Sequence, residues 1–183
     1  QPIKKLTGEY GFTETFFTDA RIPADCIMGE EGQGWRIAMQ TLQYERGAEA
    51  GAAGGISILS IVMNDLLKMA AEIEREGQPL LNDPLTRDNL VKFMIEEKAL
   101  HLAEKRIQTP ALCADYPNSL ALSGKLRSTE FYRRMRQYAL NLQGAQSALY
   151  VGDKDAVDGG FWQRAYMNNF STTIGGGTSQ VQA

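Results

Sequence analysis

The spacing of apolar residues changes period near residue 30. Before that point, Phe12-Thr13-Glu14-Thr15-Phe16-Phe17 alternates apolar and polar positions, as a half-buried strand does. A second short strand is predicted over 3–6, and Thr7-Gly8-Glu9-Tyr10-Gly11 is a turn-rich break between the two. Pro23 stops the strand that starts at Phe12, because proline cannot donate to a sheet ladder. Two short strands do not make a stable sheet by themselves. Residues 1–29 therefore read as the terminal strands of a truncated β domain.

After a linker over 28–34, the period becomes helical. Trp35, Met39 and Leu42 share one face, which resumes at Leu59, Val62 or Met63, Leu66 and Met69 or Ala70. An unbroken helix to about Glu74 would span roughly 60 Å. Gly77 is expected to cap it, with Pro79 beyond. Asp83-Pro84 opens a second helix, aspartate as N-cap and proline in the first turn, and Pro110 limits it. A third helix follows Pro117-Asn118-Ser119 and runs to about Gln143, with Leu122, Leu126, Tyr138 and Leu142 inward. One or two helical turns are predicted over 161–168, and the chain closes in the loop Ile174-Gly175-Gly176-Gly177-Thr178-Ser179-Gln180. The fold class is mainly all-α, most of a four-helix bundle over 30–183.

Composition agrees with a folded domain, at 43% apolar and 22% charged residues. A net charge of −3 argues against a general nucleic-acid binder. The local cluster Lys125, Arg127, Arg133, Arg134 and Arg136 lies on the third helix and reads as a solvated or interface face. Cys26 and Cys113 have no metal spacing and fit reduced thiols in the cytoplasm. No apolar run reaches membrane-spanning length, and no charged-then-apolar leader opens the chain.

Candidate chemistry is sparse. Leu42-Gln43-Tyr44-Glu45-Arg46-Gly47 sets an acid beside an arginine, ahead of the small-residue run Ala48-Glu49-Ala50-Gly51-Ala52-Ala53-Gly54-Gly55. Glu45 is either a base in a closely packed pocket or half of a solvated ion pair. The glycines at 175–177 either cradle phosphate through their amides or form a plain connection, and no Lys-Ser or Lys-Thr follows them as in a P-loop. A di-iron bundle needs two Glu-x-x-His pairs. The one histidine, His101, follows Glu97 at a four-residue spacing, so no metal site is expected.

Several stretches, in order, resemble the acyl-CoA dehydrogenase family. Phe12-Thr13-Glu14-Thr15-Phe16-Phe17-Thr18-Asp19-Ala20-Arg21-Ile22-Pro23 is similar to its Phe-x-Glu-x-Phe-Phe-x-Asp-Val-Arg-Val-Pro signature. Gly29-Glu30-Glu31-Gly32-Gln33-Gly34-Trp35 resembles its linker into the long first helix of the C-terminal bundle. Leu42-Gln43-Tyr44-Glu45-Arg46 matches Leu-x-x-Glu-Arg, and 174–182 resembles the closing loop beside the flavin. Residues 86–100 and 166–174 look most like a bacterial branch containing pimeloyl-CoA-type dehydrogenases.

The resemblance implies a middle β domain ending near residue 29 and a C-terminal four-helix bundle lacking its last helix. It implies α,β-dehydrogenation of an acyl-CoA thioester by a glutamate base, with FAD as hydride acceptor. An electron-transfer flavoprotein would reoxidise the flavin, and the enzyme would be a homo- or hetero-oligomer, a dimer or a tetramer. Many members carry the base in the closing loop, where this chain has Gly176. Others carry it on the long helix just before the arginine, where this chain has Glu45. By the same correspondence Gln43, Tyr44, Arg46, Gly175 and Gly176 would line the substrate site. Gly177, Thr178, Gln180, Asn141 and Gly144 would contact the flavin, as would Arg75, whose motif in the family reaches FAD across a subunit interface. The motifs around these last three depart from the family's. Arg-x-x-Phe-Gly reads Ile73-Glu74-Arg75-Glu76-Gly77, and Gln-x-x-Gly-Gly reads Asn141-Leu142-Gln143-Gly144-Ala145. Those departures keep open a non-catalytic or half-competent subunit of a heteromeric enzyme.

Overall fold

The computed structural model describes residues 1–43, 55–107, 109–112 and 119–182. Strands β1 (Pro2–Lys4) and β2 (Tyr10–Thr13) form an antiparallel hairpin. Ile3 pairs with Phe12 and Lys4 with Tyr10, so Gly11 is the extra residue of a bulge. Just past the strand ends Gln1 still pairs with Glu14, the Glu14 amide donating to Gln1 O at 2.8 Å and the Gln1 amino group donating to Glu14 O at 2.7 Å. Phe16 and Phe17, predicted to extend the strand, are instead outside it and exposed.

Helix α1 (Gly34–Gln43) starts where the linker was expected to end, and α2 (Gly55–Glu72) carries the apolar face onward. The predicted continuity between them falls on 44–54, outside the described residues. Trp35 faces outward on α1, while Val62, Met63, Leu66, Met69 and Ala70 of α2 are core.

The end of α2 differs from expectation. The helix stops at Glu72, and β3 (Glu74–Arg75) turns back on β4 (Gln78–Pro79). Glu76 and Gly77 hold φ of 54° and 73°. Two consecutive left-handed residues make a two-residue hairpin turn of the primed type, which matches strand twist. Gly77 is thus a hairpin glycine and not a helix cap.

Asp83 caps α3 (Pro84–Ile107) as predicted, its Oδ2 accepting the Thr86 amide at 2.7 Å. That bond holds the Asp83 carboxyl below its ordinary value. Helix α4 (Ser119–Gln143) supplies Phe131, Met135, Ala139 and Leu142 to the core. Phe93 of α3 meets Phe131 edge-on with ring centroids 6.0 Å apart, a geometry favoured by aromatic quadrupoles.

Helix α5 (Phe161–Ile174) is longer than the one or two turns predicted. Its second half is rich in Asn, Ser and Thr, whose side chains compete with helical backbone bonds. Here that competition is turned inward. Ser171, Thr172 and Thr173 hydroxyls donate to the carbonyls three residues back, at 2.7–3.0 Å. Asn169 is buried and bonded to α4. The chain then turns through three glycines into α6 (Ser179–Gln182), a single helical turn where a loop was expected.

Candidate functional site

Gln43 is the last residue of α1. Tyr44, Glu45 and Arg46 lie outside the described residues, so their expected roles rest on sequence alone. The other candidates fall into two groups at opposite ends of α4.

The first group is the glycine loop. Gly175 closes α5, its amide donating to Ser171 O at 2.8 Å, and a Cβ there would meet that oxygen at 3.2 Å. Gly176 and Gly177 hold φ of 69° and 105°, which only glycine adopts readily. A Cβ on Gly176 would meet nothing within 4 Å, so the backbone there borders open space. Downstream, Thr178 caps α6. Its carbonyl and hydroxyl lie 3.0 and 3.3 Å from the Val181 amide.

Lys125 and Glu130 of α4 both reach this loop. Lys125 Nζ donates to Gly177 O at 2.5 Å. Ser179 Oγ donates to Glu130 Oε1 at 2.6 Å, and Arg133 Nε donates to Glu130 Oε2 at 2.9 Å. These bonds hold the Glu130 carboxyl below its ordinary value, Ser179 being the larger cause. Neither loop contact was foreseen. Lys125 was grouped with its basic neighbours, and no local motif points a helical lysine at a loop 52 residues away.

The basic cluster disperses in the structure. Arg133 pairs with Glu130 and Arg134 forks onto Glu96, one limb at 3.0 Å. Arg136 turns inward, over the Tyr132 ring at 4.8 Å and onto Asn169 Oδ1 at 2.6 Å. Burial pushes the Arg136 guanidinium down and the Tyr132 phenol up to about 12.

The second group sits at the far end of α4. Asn141 and Gly144 are exposed at its C-terminus, and Arg75 is exposed on the β3–β4 hairpin. These ends of α2 and α4 meet where Gln143 Nε2 approaches Met69 Sδ at 3.5 Å. Lys125 and Asn141 are 16 positions apart on one helix, about 24 Å along its axis. Both groups fit a dinucleotide in kind, with side-chain-free glycine backbone at the loop and exposed polar side chains at the hairpin. Among the described residues, no three His, Cys, Asp or Glu side chains gather as metal ligands. No described helix is long and apolar enough to cross a membrane.

The family model described as the acyl-CoA dehydrogenase C-terminal domain matches residues 32–183. The chain belongs to the acyl-CoA dehydrogenase family. It is 32% identical over 183 residues to acyl-CoA dehydrogenase IpdE1 of Mycolicibacterium smegmatis, covering 100% of this chain and 42% of that one. To the human mitochondrial short-chain specific acyl-CoA dehydrogenase it is 30% identical, over 91% of this chain and 38% of the relative. Among solved structures, the ChsE4-ChsE5 complex from Mycobacterium tuberculosis superimposes with a TM-score of 0.78 at 22% identity, over 100% of this chain and 45% of that one. That likeness concerns the fold. The chain spans about two fifths of the length of these curated relatives. Acyl-CoA dehydrogenases typically bind FAD, and the fold here is their mainly helical C-terminal domain with small N-terminal strands.

Proposed function

We propose that this chain is the C-terminal part of a flavin-dependent acyl-CoA dehydrogenase in which Glu45 removes the α-proton of an acyl-CoA thioester. Bound FAD supplies the hydride acceptor for the β-hydrogen. The observation that carries the reading is Gly176. It occupies the loop position where many family members have their glutamate, and the space beside it is empty of side chain. The loop therefore has no base to offer, and Leu42-Gln43-Tyr44-Glu45-Arg46 has one. A base of this kind works when a dry pocket raises its pKa toward neutrality and sets it within hydrogen-bond reach of the α-carbon.

In this reading Gln43, Tyr44, Arg46, Gly175 and Gly176 border the thioester, and Gly177, Thr178 and Gln180 border the flavin. Asn141, about 24 Å from Lys125 along α4, and Gly144 just beyond it serve a flavin site, and Arg75 reaches the flavin of a neighbouring chain. The domain division follows, with 1–29 ending the middle β domain and 30–183 forming the bundle. An electron-transfer flavoprotein is the proposed electron acceptor. The pimeloyl-CoA-type likeness and the relatives' names point to different acyl groups, so the proposal extends to the thioester and not to its acyl chain.

The test is Glu45→Gln in the full-length protein. Acyl-CoA should no longer bleach the flavin, while the visible spectrum still reports bound FAD. Bleaching at a near-normal rate would end the assignment. A second reading, a half-competent subunit of a heteromeric enzyme, is favoured by the altered motifs around Arg75 and Asn141. The full-length chain purified without a partner discriminates, since a stoichiometric flavin spectrum argues against it.

A further inference from the structure

We propose that Lys125 and Glu130 are positioning residues that lock the glycine loop at 175–178 into the conformation that forms the site. This inference rests on the functional reading above for its catalytic consequence, but not for its structural one. Its starting point is entropy. Glycine loses more backbone freedom on folding than any other residue, and three in succession make a loop that is costly to order. Two of these three sit at positive φ, so the turn has a defined shape that something must hold.

Upstream, the loop is fixed by the end of α5, through the Gly175 amide on Ser171 O. Downstream, both restraints come from α4. The Lys125 ammonium takes the Gly177 carbonyl, and the Glu130 carboxylate takes the Ser179 hydroxyl, two residues further on. Both are charge-assisted bonds, roughly twice as strong as neutral ones. Both side chains are half-buried, so water competes with them less than on an open surface. They lie five positions apart on α4 and grip the loop on both sides of Thr178. The open space beside Gly176 is immediately upstream of this grip.

Elsewhere on α4, charged side chains meet partners that stabilise helix packing. Arg134 reaches α3 and Arg136 reaches α5. Lys125 differs because its acceptor is the backbone of the loop itself. That makes it a direct handle on the position of the thioester and flavin contacts assigned to residues 175–180.

The experiment uses the full-length protein, with Lys125→Met, Lys125→Arg, Glu130→Gln and Ser179→Ala. Hydrogen exchange of the peptide covering 174–182 is compared with that of the α4 core peptide covering 131–142. Lys125→Met should speed exchange of the loop peptide about tenfold while the core peptide is unchanged. Lys125→Arg should restore it to within about threefold, because a cationic donor remains. Glu130→Gln and Ser179→Ala should act alike, and their double variant should add little to either. In the acyl-CoA bleaching assay, Lys125→Met should lower the rate about tenfold at full FAD occupancy.

Unchanged loop exchange in Lys125→Met overturns the clamp. Exchange rising equally in loop and core assigns Lys125 to general stability and overturns it too. A loosened loop with an unaltered bleaching rate overturns the positioning role. Wild-type protein that no acyl-CoA bleaches defeats the functional reading, and the exchange result then stands or falls by itself.

Discussion

The Tyr150 hydroxyl donates to the Thr7 carbonyl at 2.9 Å, across 143 positions of sequence. Thr7 is buried although nearly every residue around it is exposed, so this bond satisfies a carbonyl held away from water. Beside it, Arg164 reaches Glu9 at 2.7 Å. Together they seat the N-terminal hairpin on the segment after α4, through Tyr150, and on α5, through Arg164. An exposed ion pair adds little by itself, so the part-buried Tyr150–Thr7 bond carries most of the attachment. Tyr150→Phe should cost about 1 kcal/mol. Hydrogen exchange should show lost protection over 1–14 with the helices unaffected, and uniform loss everywhere would contradict this attachment.

The start of α5 depends on Gly160. Its φ is +81°, and a Cβ there would lie 2.6 Å from the Val151 amide nitrogen, which is backbone and cannot swing aside. Its neighbour Gly159 has φ +60° but nothing within 4 Å. Gly159→Ala therefore meets only the left-handed penalty, about 1–2 kcal/mol. Gly160→Ala meets that penalty and a clash, and should cost at least about 3 kcal/mol. Urea denaturation of the two variants checks the difference. Equal losses would mean that the close approach of Val151 is not a constraint.

The outline of the bundle was legible because it is written in local chemistry. Asp83 capping Thr86, Pro84 in the first turn and the α2 core face at Val62, Leu66 and Met69 all follow from spacing within one element. What failed was decided by distant partners or backbone sign. Gly77 looks like a helix cap until Glu76 is seen to share its left-handed conformation. The helix expected over 161–168 runs on to Ile174, with Asn169 held by Arg136 and Thr129 of α4. At the site, the glycine loop could be named from sequence, but its holders could not. Lys125 and Glu130 read as ordinary helix-surface charges, and only the arrival of α5 against α4 gives them a loop to hold.

Arg136 and Asn169 form one polar tie between α4 and α5. Arg136 Nη1 donates to Asn169 Oδ1 at 2.6 Å, while its Nε meets no acceptor among the described residues. A half-buried guanidinium with so few acceptors is sensitive to losing one. Asn169→Leu should cost about 2–3 kcal/mol, because it strands the charge as well as removing a bond. Arg136→Met combined with Asn169→Leu should recover part of that loss, since no buried charge then remains. Urea midpoints of the single and double variants check the sign. A double variant as unstable as the sum of the singles would refute the stranded-charge account.

Glu130 gives the loop a defined acid sensitivity. Its carboxyl is held below the ordinary 4.5 by the Ser179 hydroxyl first and Arg133 second, with Arg134 adding to the effect. Burial opposes this shift and is outweighed. For a group whose folded pKa is depressed, the folded state binds fewer protons than the unfolded one over the window between the two values. The stabilisation is therefore fully present above the ordinary value and is lost as pH falls through the depressed one. At neutral pH Glu130→Gln should lower the melting temperature slightly, since the amide oxygen accepts Ser179 more weakly than a carboxylate. Below about pH 4.5 the wild type should converge on the variant, because protonation neutralises the same group. Melting temperatures of both proteins measured downward from neutrality test this. A gap that stays constant through the acid range would show that Glu130 holds Ser179 without being ionised, and one that widens on acidification would reverse the assigned sign.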